Sequence, residues 1–199
     1  MIMLAATVGF ANEAKEEALD SLNTAKRLIE KGDFNKAIEE LNYAVSKVNE
    51  LNAGSLINFI PDAPAGFKLT AKNAQGMGQA ASVVGNAGAE AEYTGKNNAI
   101  VKLSLVTGGI GGSVGSMAKM GALFAAFGGG DTGGPNMTST RIQGYTGTLS
   151  FDASEKSGNL TLQVGDKVTL NIEGSGIESG SVLKAFARNM DLAALDEAF

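Results

Sequence analysis

Glycine is spread very unevenly along this chain. Of 27 glycines, 25 lie after residue 53, and residues 108–134 alone hold 11. Glycine loses the most backbone freedom on folding and weakens helix interiors. Regular helical structure is therefore expected before residue 53, with strands and turns after it. Charge changes at the same place. Residues 12–52 carry 15 charged side chains in 41 positions, against 22 in the 147 that follow. The boundary falls near Ala53-Gly54.

The first part has helical periodicity. Ala18, Leu22, Ala25 and Ile29 step by four, three and four. After Lys31-Gly32-Asp33 the stripe resumes at Phe34, Ile38, Leu41, Val45 and Val48. These spacings predict two amphipathic helices joined by a tight turn, an antiparallel hairpin over residues 12–52. Gly32 suits the left-handed residue that ends one helix, and Asp33 the cap that starts the next. Two helices this short bury too little surface to order themselves alone. The hairpin is thus expected to pack on the rest of the chain, with Leu22, Phe34, Ile38 and Leu41 as its seam. Ala25, Leu28, Ala37, Leu41, Ala44 and the Gly32-Asp33-Phe34 turn resemble a single tetratricopeptide-like hairpin over residues 22–49. Ser21 and Asn49 depart from that pattern. One repeat does not make a superhelical groove, so the resemblance implies either an internal packing element or a hairpin that docks a partner protein.

The eleven residues Met1–Ala11 carry no charge, and from Asn12 the chain turns polar. This pattern resembles the apolar core of a secretory signal without its basic leader, cut near Ala11-Asn12. It implies a truncated signal remnant over residues 1–11 and a periplasmic or secreted bacterial protein. The alternative is an apolar first turn that packs on the protein body.

Residues 53–66 contain Pro61-Asp62-Ala63-Pro64-Ala65-Gly66 and predict an extended crossing segment. Strands follow by alternation: Phe67–Lys72, a strand carrying Glu90 and Glu92, Val101-Leu103-Leu105, Tyr145-Leu149-Phe151, Leu160-Leu162-Val164 and Val168-Leu170-Ile172. A three-residue loop Gly165–Lys167, with a bulge, brings the last two apolar sets to one face. Ser181 is expected to cap a helix Val182–Met190, and Asp191 a last short helix with Leu192, Leu195 and Phe199. Residues 67–199 thus predict an α+β sandwich: a mostly antiparallel sheet of five to seven strands covered by helices, Mog1/PsbP-like by element order. The opener and the closing Met190–Leu195 resemble uncharacterised secreted bacterial α+β proteins with a Pro-Asp-Ala-Pro-x-Gly-aromatic opener, over residues 56–196. That resemblance implies an envelope location and no particular activity.

Composition narrows the chemistry. The chain has no His, Cys or Trp, 16 basic and 21 acidic residues, and a net charge of −5. Triads built on His or Cys, thiolate or imidazole zinc sites and disulfides are removed, and the charge does not suit nucleic acid. Gly109 and Gly111 would need a third glycine at Val114 for a dinucleotide fingerprint, and no P-loop occurs. A lone Gly128-Gly129-Gly130-Asp131 lacks the oxygens calcium requires. Asp62, Glu90, Glu92, Asp131, Asp152, Glu155, Asp166, Glu173 and Glu178 read as turn or solvated residues. No cofactor, metal or catalytic residue is expected. One further stripe stands out: Met117, Met120, Leu123, Phe124 and Phe127 lie on one side of an expected helix Ser113–Phe127. It is either a cover for the sheet or an apolar ligand or partner face. It is too short and polar for a transmembrane span. The leading expectation is a non-enzymatic module that binds an envelope protein. The alternative is a small apolar-ligand or lipid carrier with helix 113–127 as lid, with peripheral membrane or lipid contact.

Overall fold

The computed structural model describes residues 5–76, 87–107 and 137–199. The elements are α1 (Ala5–Glu30), α2 (Phe34–Leu56), β1 (Phe67–Gly76), β2 (Ala87–Gly95), β3 (Ile100–Thr107), β4 (Met137–Ile142), β5 (Tyr145–Asp152), β6 (Ser157–Val164), β7 (Val168–Ser175), α3 (Ser181–Arg188) and α4 (Leu192–Ala198). The chain is α+β, with N-terminal helices, a seven-stranded antiparallel sheet and C-terminal helices. It divides into two compact units; the helical one ends its first stretch at Ser55, and the sheet unit opens at Leu56. The stripe Met117, Met120, Leu123, Phe124 and Phe127, and with it the expected helix Ser113–Phe127, lies outside the described residues.

In the helical unit, α1 runs unbroken across Ala11-Asn12. The turn between the helices forms as Gly32 suggests. Gly32 takes φ +78°. Its N–H donates to the Ile29 carbonyl at 3.0 Å, and that of Asp33 donates to Leu28 at 2.9 Å. These two bonds close the end of α1 through a left-handed residue that a side chain would strain. Asp33 then starts α2, its carbonyl accepting from Ala37 N–H at 3.1 Å.

The four residues expected to pack on the rest of the chain are not buried. Ala14, Ala18, Ser21 and Ala25 of α1 and Ala37 and Ala44 of α2 are buried, whereas Leu22, Phe34, Ile38 and Leu41 are exposed. Small residues repeat at heptad-like spacing on each helix and let the two backbones approach closely. The larger apolar side chains are displaced to the flank. Within the expected stripes only Ala18 and Ala25 are buried; Leu22, Ile29 and all five members of the α2 stripe are exposed, and the buried positions of α2 include Ala37 and Ala44 instead.

The sheet has the order β1-β2-β3-β7-β6-β5-β4. It consists of two meanders joined where β3 meets β7, with register Leu103↔Ile172 and Leu105↔Leu170. The β6–β7 hairpin pairs Val164 with Val168, Leu162 with Leu170 and Leu160 with Ile172, around the three-residue loop Gly165–Lys167. The expected bulge is absent from this ladder. The loop is symmetric about Asp166, so no residue is left over to bulge. Val101, Leu103, Leu105, Leu160, Leu162, Leu170 and Ile172 are all buried on one face. Helix α3 lies against β7, β6 and β4 on that side, and α4 against β6. Its Leu183 enters a notch at the register pair Gly158↔Gly174. A Cβ on Gly174 would stand 2.7 Å from Ile177 and 2.9 Å from Leu183.

The Pro-Asp-Ala-Pro segment is fastened to this unit by its backbone. The Tyr93 hydroxyl, fully buried, donates to the Pro61 carbonyl at 2.7 Å, and Asn189 Nδ2 donates to the Asp62 carbonyl at 2.9 Å. The Phe186 ring centres the core, 4.7 Å from Tyr93 and 5.1 Å from Phe67 in edge-to-face contacts.

At the C-terminus, Asp191 caps α4 as expected, accepting from Ala194 N–H at 3.0 Å. Ser181 does not cap α3. It is the first residue of that helix, Gly180 precedes it with no side-chain cap, and the helix ends at Arg188. The Ser181 hydroxyl instead meets that of Ser179 at 2.5 Å. The break between α3 and α4 is held by Gln143 of the β4–β5 turn. Its Nε2 donates to the Arg188 carbonyl at 3.1 Å and to the Met190 carbonyl at 2.9 Å.

Candidate functional site

Two surfaces stand apart from the packed core. The first is on the hairpin. Counted at 3.6 residues per turn, Leu22 and Ile29 lie about a quarter-turn ahead of the α1 seam, and Phe34, Ile38, Leu41 and Val45 about a quarter-turn ahead of the α2 seam, with Val48 nearer the seam. The helices run antiparallel, so rotation in the same sense about opposite axes brings both sets to the same side. All seven are exposed, from 37% at Leu41 to 62% at Phe34. Glu17 and Lys47 lie behind their seams, on the opposite side, and their contact there confirms the geometry. Lys47 Nζ reaches Glu17 at 2.7 Å and Glu50 at 3.0 Å, and the Tyr43 hydroxyl donates to Glu17 at 3.1 Å.

The hairpin thus has an ionic side and a mainly apolar side, on which Lys15 and Lys26 are the charged neighbours of Leu22. On the ionic side, the hydrogen bond from Lys47, then that from Tyr43, holds the Glu17 carboxyl below the usual range. Glu17, then Glu50, holds the Lys47 ammonium above its own. Exposed pairs of this kind add little stability. The apolar side exposes on the order of 600 Å² of side-chain surface, at the top of what the largest patch on an ordinary monomer presents. One hairpin residue carries a separate cost: Asn49 is 6% exposed, and its Nδ2 has no hydrogen-bond partner.

The second surface is the sheet face opposite α3 and α4. It is polar and internally bonded. Asn159 Nδ2 donates to Asn171 Oδ1 at 2.8 Å, the single Thr161 hydroxyl proton is shared between Asn159 Oδ1 and Asn171 Oδ1, each 3.0 Å from its oxygen, and Asn171 Nδ2 donates to Glu173 at 3.1 Å. A groove of about 400 Å³ runs beside this network, lined by Asn73, Glu90, Glu92, Lys102, Ser104, Asn171 and Glu173 among others. Glu90 and Glu92 do share a face. Glu92 stands 4.0 Å from Lys102, both well exposed, which is the arrangement of solvated side chains.

The other carboxylates sit in turns or on the surface. Asp152 Oδ1 accepts from Ser154 Oγ at 2.5 Å and from the N–H groups of Ser154 and Glu155 at 2.8 and 3.2 Å. These bonds, the Ser154 hydroxyl first, hold its carboxyl below the usual range. Glu178 pairs with Lys156 at 3.0 Å, and Asp166 is exposed in the β6–β7 loop. Asp131 lies outside the described residues. No group of three or more carboxylates that could hold a metal ion occurs among the described residues. Among them, too, no helix is long and apolar enough to cross a membrane.

The stripe expected to form an apolar ligand or partner face, at Met117, Met120, Leu123, Phe124 and Phe127, cannot be placed on either surface, because it lies outside the described residues. The hairpin's apolar side was missed as a surface because its residues were assigned to a seam. The signal that separates the two was present: alanine recurs at 14, 18 and 25, and again at 37 and 44. Comparison of the chain with protein-family models, with curated proteins and with solved structures finds no match.

Proposed function

We propose that this chain is a non-enzymatic protein-docking module of the bacterial envelope, and that the apolar side of the α1–α2 hairpin is its docking surface. The observation that carries the reading is the inversion of the hairpin, with alanines inside and Leu22, Ile29, Phe34, Ile38, Leu41, Val45 and Val48 outside. A chain that needed only a stable hairpin would put its large side chains in the seam. Leaving them about half exposed costs solubility and forgoes part of their burial, which is the pattern of a surface that another protein covers. The uncharged residues 1–11 support export. No observation on the described residues favours the carrier alternative.

A photo-crosslinking residue placed at Ile38 in cells, with Asp20 as the control position, tests this. Discrete protein adducts from position 38 and none from position 20 are expected. Absence of any protein adduct at 38, or equal labelling at both positions, overturns the reading.

A further inference from the structure

We infer that the protein docked on the apolar side of the hairpin is a second copy of this chain, the two hairpins meeting face to face in a symmetric four-helix bundle. The inference rests on the docking reading above and names its partner.

The width of the surface selects the partner. The surface spans two helices that lie side by side, and helix axes in contact stand about 8–10 Å apart. A single partner helix would seat in the middle and leave both outer rows wet. A second two-helix face covers the whole surface, and another copy supplies one of matching length by symmetry. The area agrees. Two faces of on the order of 600 Å² bring about 1,200 Å² together, the lower bound of a standard specific interface before the rims are added.

The centre of the face is also where a two-fold axis would pass. Glu17 meets both Tyr43 and Lys47. That fixes the antiparallel stagger and sets Leu22 across from the neighbourhood of Leu41, midway between the ends of the apolar side. An axis there would stack leucine on leucine, with the Glu17–Lys47–Glu50 side turned away and the long side chains of Lys15 and Lys26, on the same side of α1, reaching to the rim. The sheet unit, taken by itself, offers no comparable apolar surface among the described residues. Its apolar side is filled by Leu183, Phe186, Leu192 and Leu195, each 0% exposed, and its other side is the Asn, Thr and Glu network.

The test is the mass of the full chain in solution. Light scattering should give twice 20.3 kDa at high concentration and a shift toward the single chain on dilution. Ile38→Glu should abolish the dimer while leaving the circular dichroism unchanged, because residue 38 is 55% exposed. Asp20→Lys, on the far side, should leave the dimer intact. The chain contains no cysteine, so Leu41→Cys introduces a lone thiol. It should give a disulfide-linked dimer on mild oxidation, and Asp20→Cys should not.

A chain that stays monomeric at every concentration, with no link through Leu41→Cys, overturns the inference. So does a dimer that Ile38→Glu leaves unchanged. The crosslink at position 38 then separates the two failures. Adducts to a different protein leave the docking reading standing with another partner, and no protein adduct removes both.

Discussion

The sheet unit and the helical hairpin put their apolar side chains to opposite use. In the sheet unit Leu160, Leu162, Leu170, Ile172, Leu183, Phe186, Leu192 and Leu195 are all 0% exposed, while in the helical unit up to Ser55 the residues below 5% are alanines and Ile38 and Phe34 stand more than half exposed. Both units contain regular amphipathic patterns. What differs is the size of the side chain at the position that meets the neighbour. Large residues there make a core that is complete. Small residues there draw the backbones together and push the large residues to a flank, leaving a surface still to be covered. Amphipathicity alone therefore does not distinguish a finished core from an unfinished one.

The sharpest break in this comparison comes from truncating one side chain in each unit. Phe186→Ala removes a fully buried ring that touches Tyr93 and Phe67, and it should cost about 3–5 kcal/mol in chemical denaturation. A loss below about 1 kcal/mol would mean that the ring is not part of a close-packed core. In the hairpin, the equivalent sensitivity should lie at the alanines and run in the other direction. Ala44→Leu forces extra volume into a closed seam and should destabilise by about 1–3 kcal/mol. A stabilising effect would show that the seam has room and that the helices are not in close contact.

These expectations also mark how far the sequence could be read. The β6–β7 register followed from Leu160 to Ile172 because alternation fixes which residues face inward, and a three-residue loop, unlike a two-residue one, puts both sets on one face. The turn at Gly32-Asp33 was legible for a similar reason, since a left-handed residue at a helix end has few alternatives to glycine. Strand β4, Met137–Ile142, was not legible. It is an edge strand with only Ile142 buried, so it carries no alternation. The insertion of β7 beside β3 was equally hidden, because a pattern of inward residues says nothing about which strand lies next. The hairpin seam failed for an energetic reason. Leucine and isoleucine dominate any hydrophobic stripe, whereas the contact between two close helices is decided by what fits between backbones. The stripe at Met117–Phe127 lies outside the described residues, so that part of the reading has no counterpart in the structure.

Tyr93 offers a smaller effect, confined to the sheet unit. Its phenol is buried and donates to the Pro61 carbonyl. Burial first, and the nearby Asp62 charge second, push its pKa from the ordinary 10.0 up to about 12. A group whose folded pKa is raised contributes stability that is full below the unfolded value and is lost as the pH rises through the folded one. The sheet unit should therefore weaken between about pH 10 and about 12. Tyr93→Phe leaves the Pro61 carbonyl unpaired and should cost about 1–2 kcal/mol at neutral pH. It should also flatten the alkaline loss. Urea titrations of both proteins at neutral and alkaline pH measure the two effects together. An unchanged alkaline slope in the variant would assign the transition to other groups.

The smallest expected effect tests the hairpin side of the comparison most directly. Ile38→Ala removes three carbons from a residue that is 55% exposed. The surface it loses is partly offset by alanine's better helix propensity, worth a few tenths of a kcal/mol. At a concentration where the chain is monomeric, stability should change by no more than about 0.5 kcal/mol. A loss of about 2 kcal/mol or more under those conditions would show that residue 38 is covered within a single chain, and the hairpin would then be a core of the same kind as the sheet. At a concentration where copies associate, the same substitution should lower stability measurably. Association with a folded partner stabilises by mass action, and Ile38 would lie within the surface that associates. A substitution that is silent when dilute and costly when concentrated is the behaviour of a surface completed by another molecule, and no residue in the sheet core should show it.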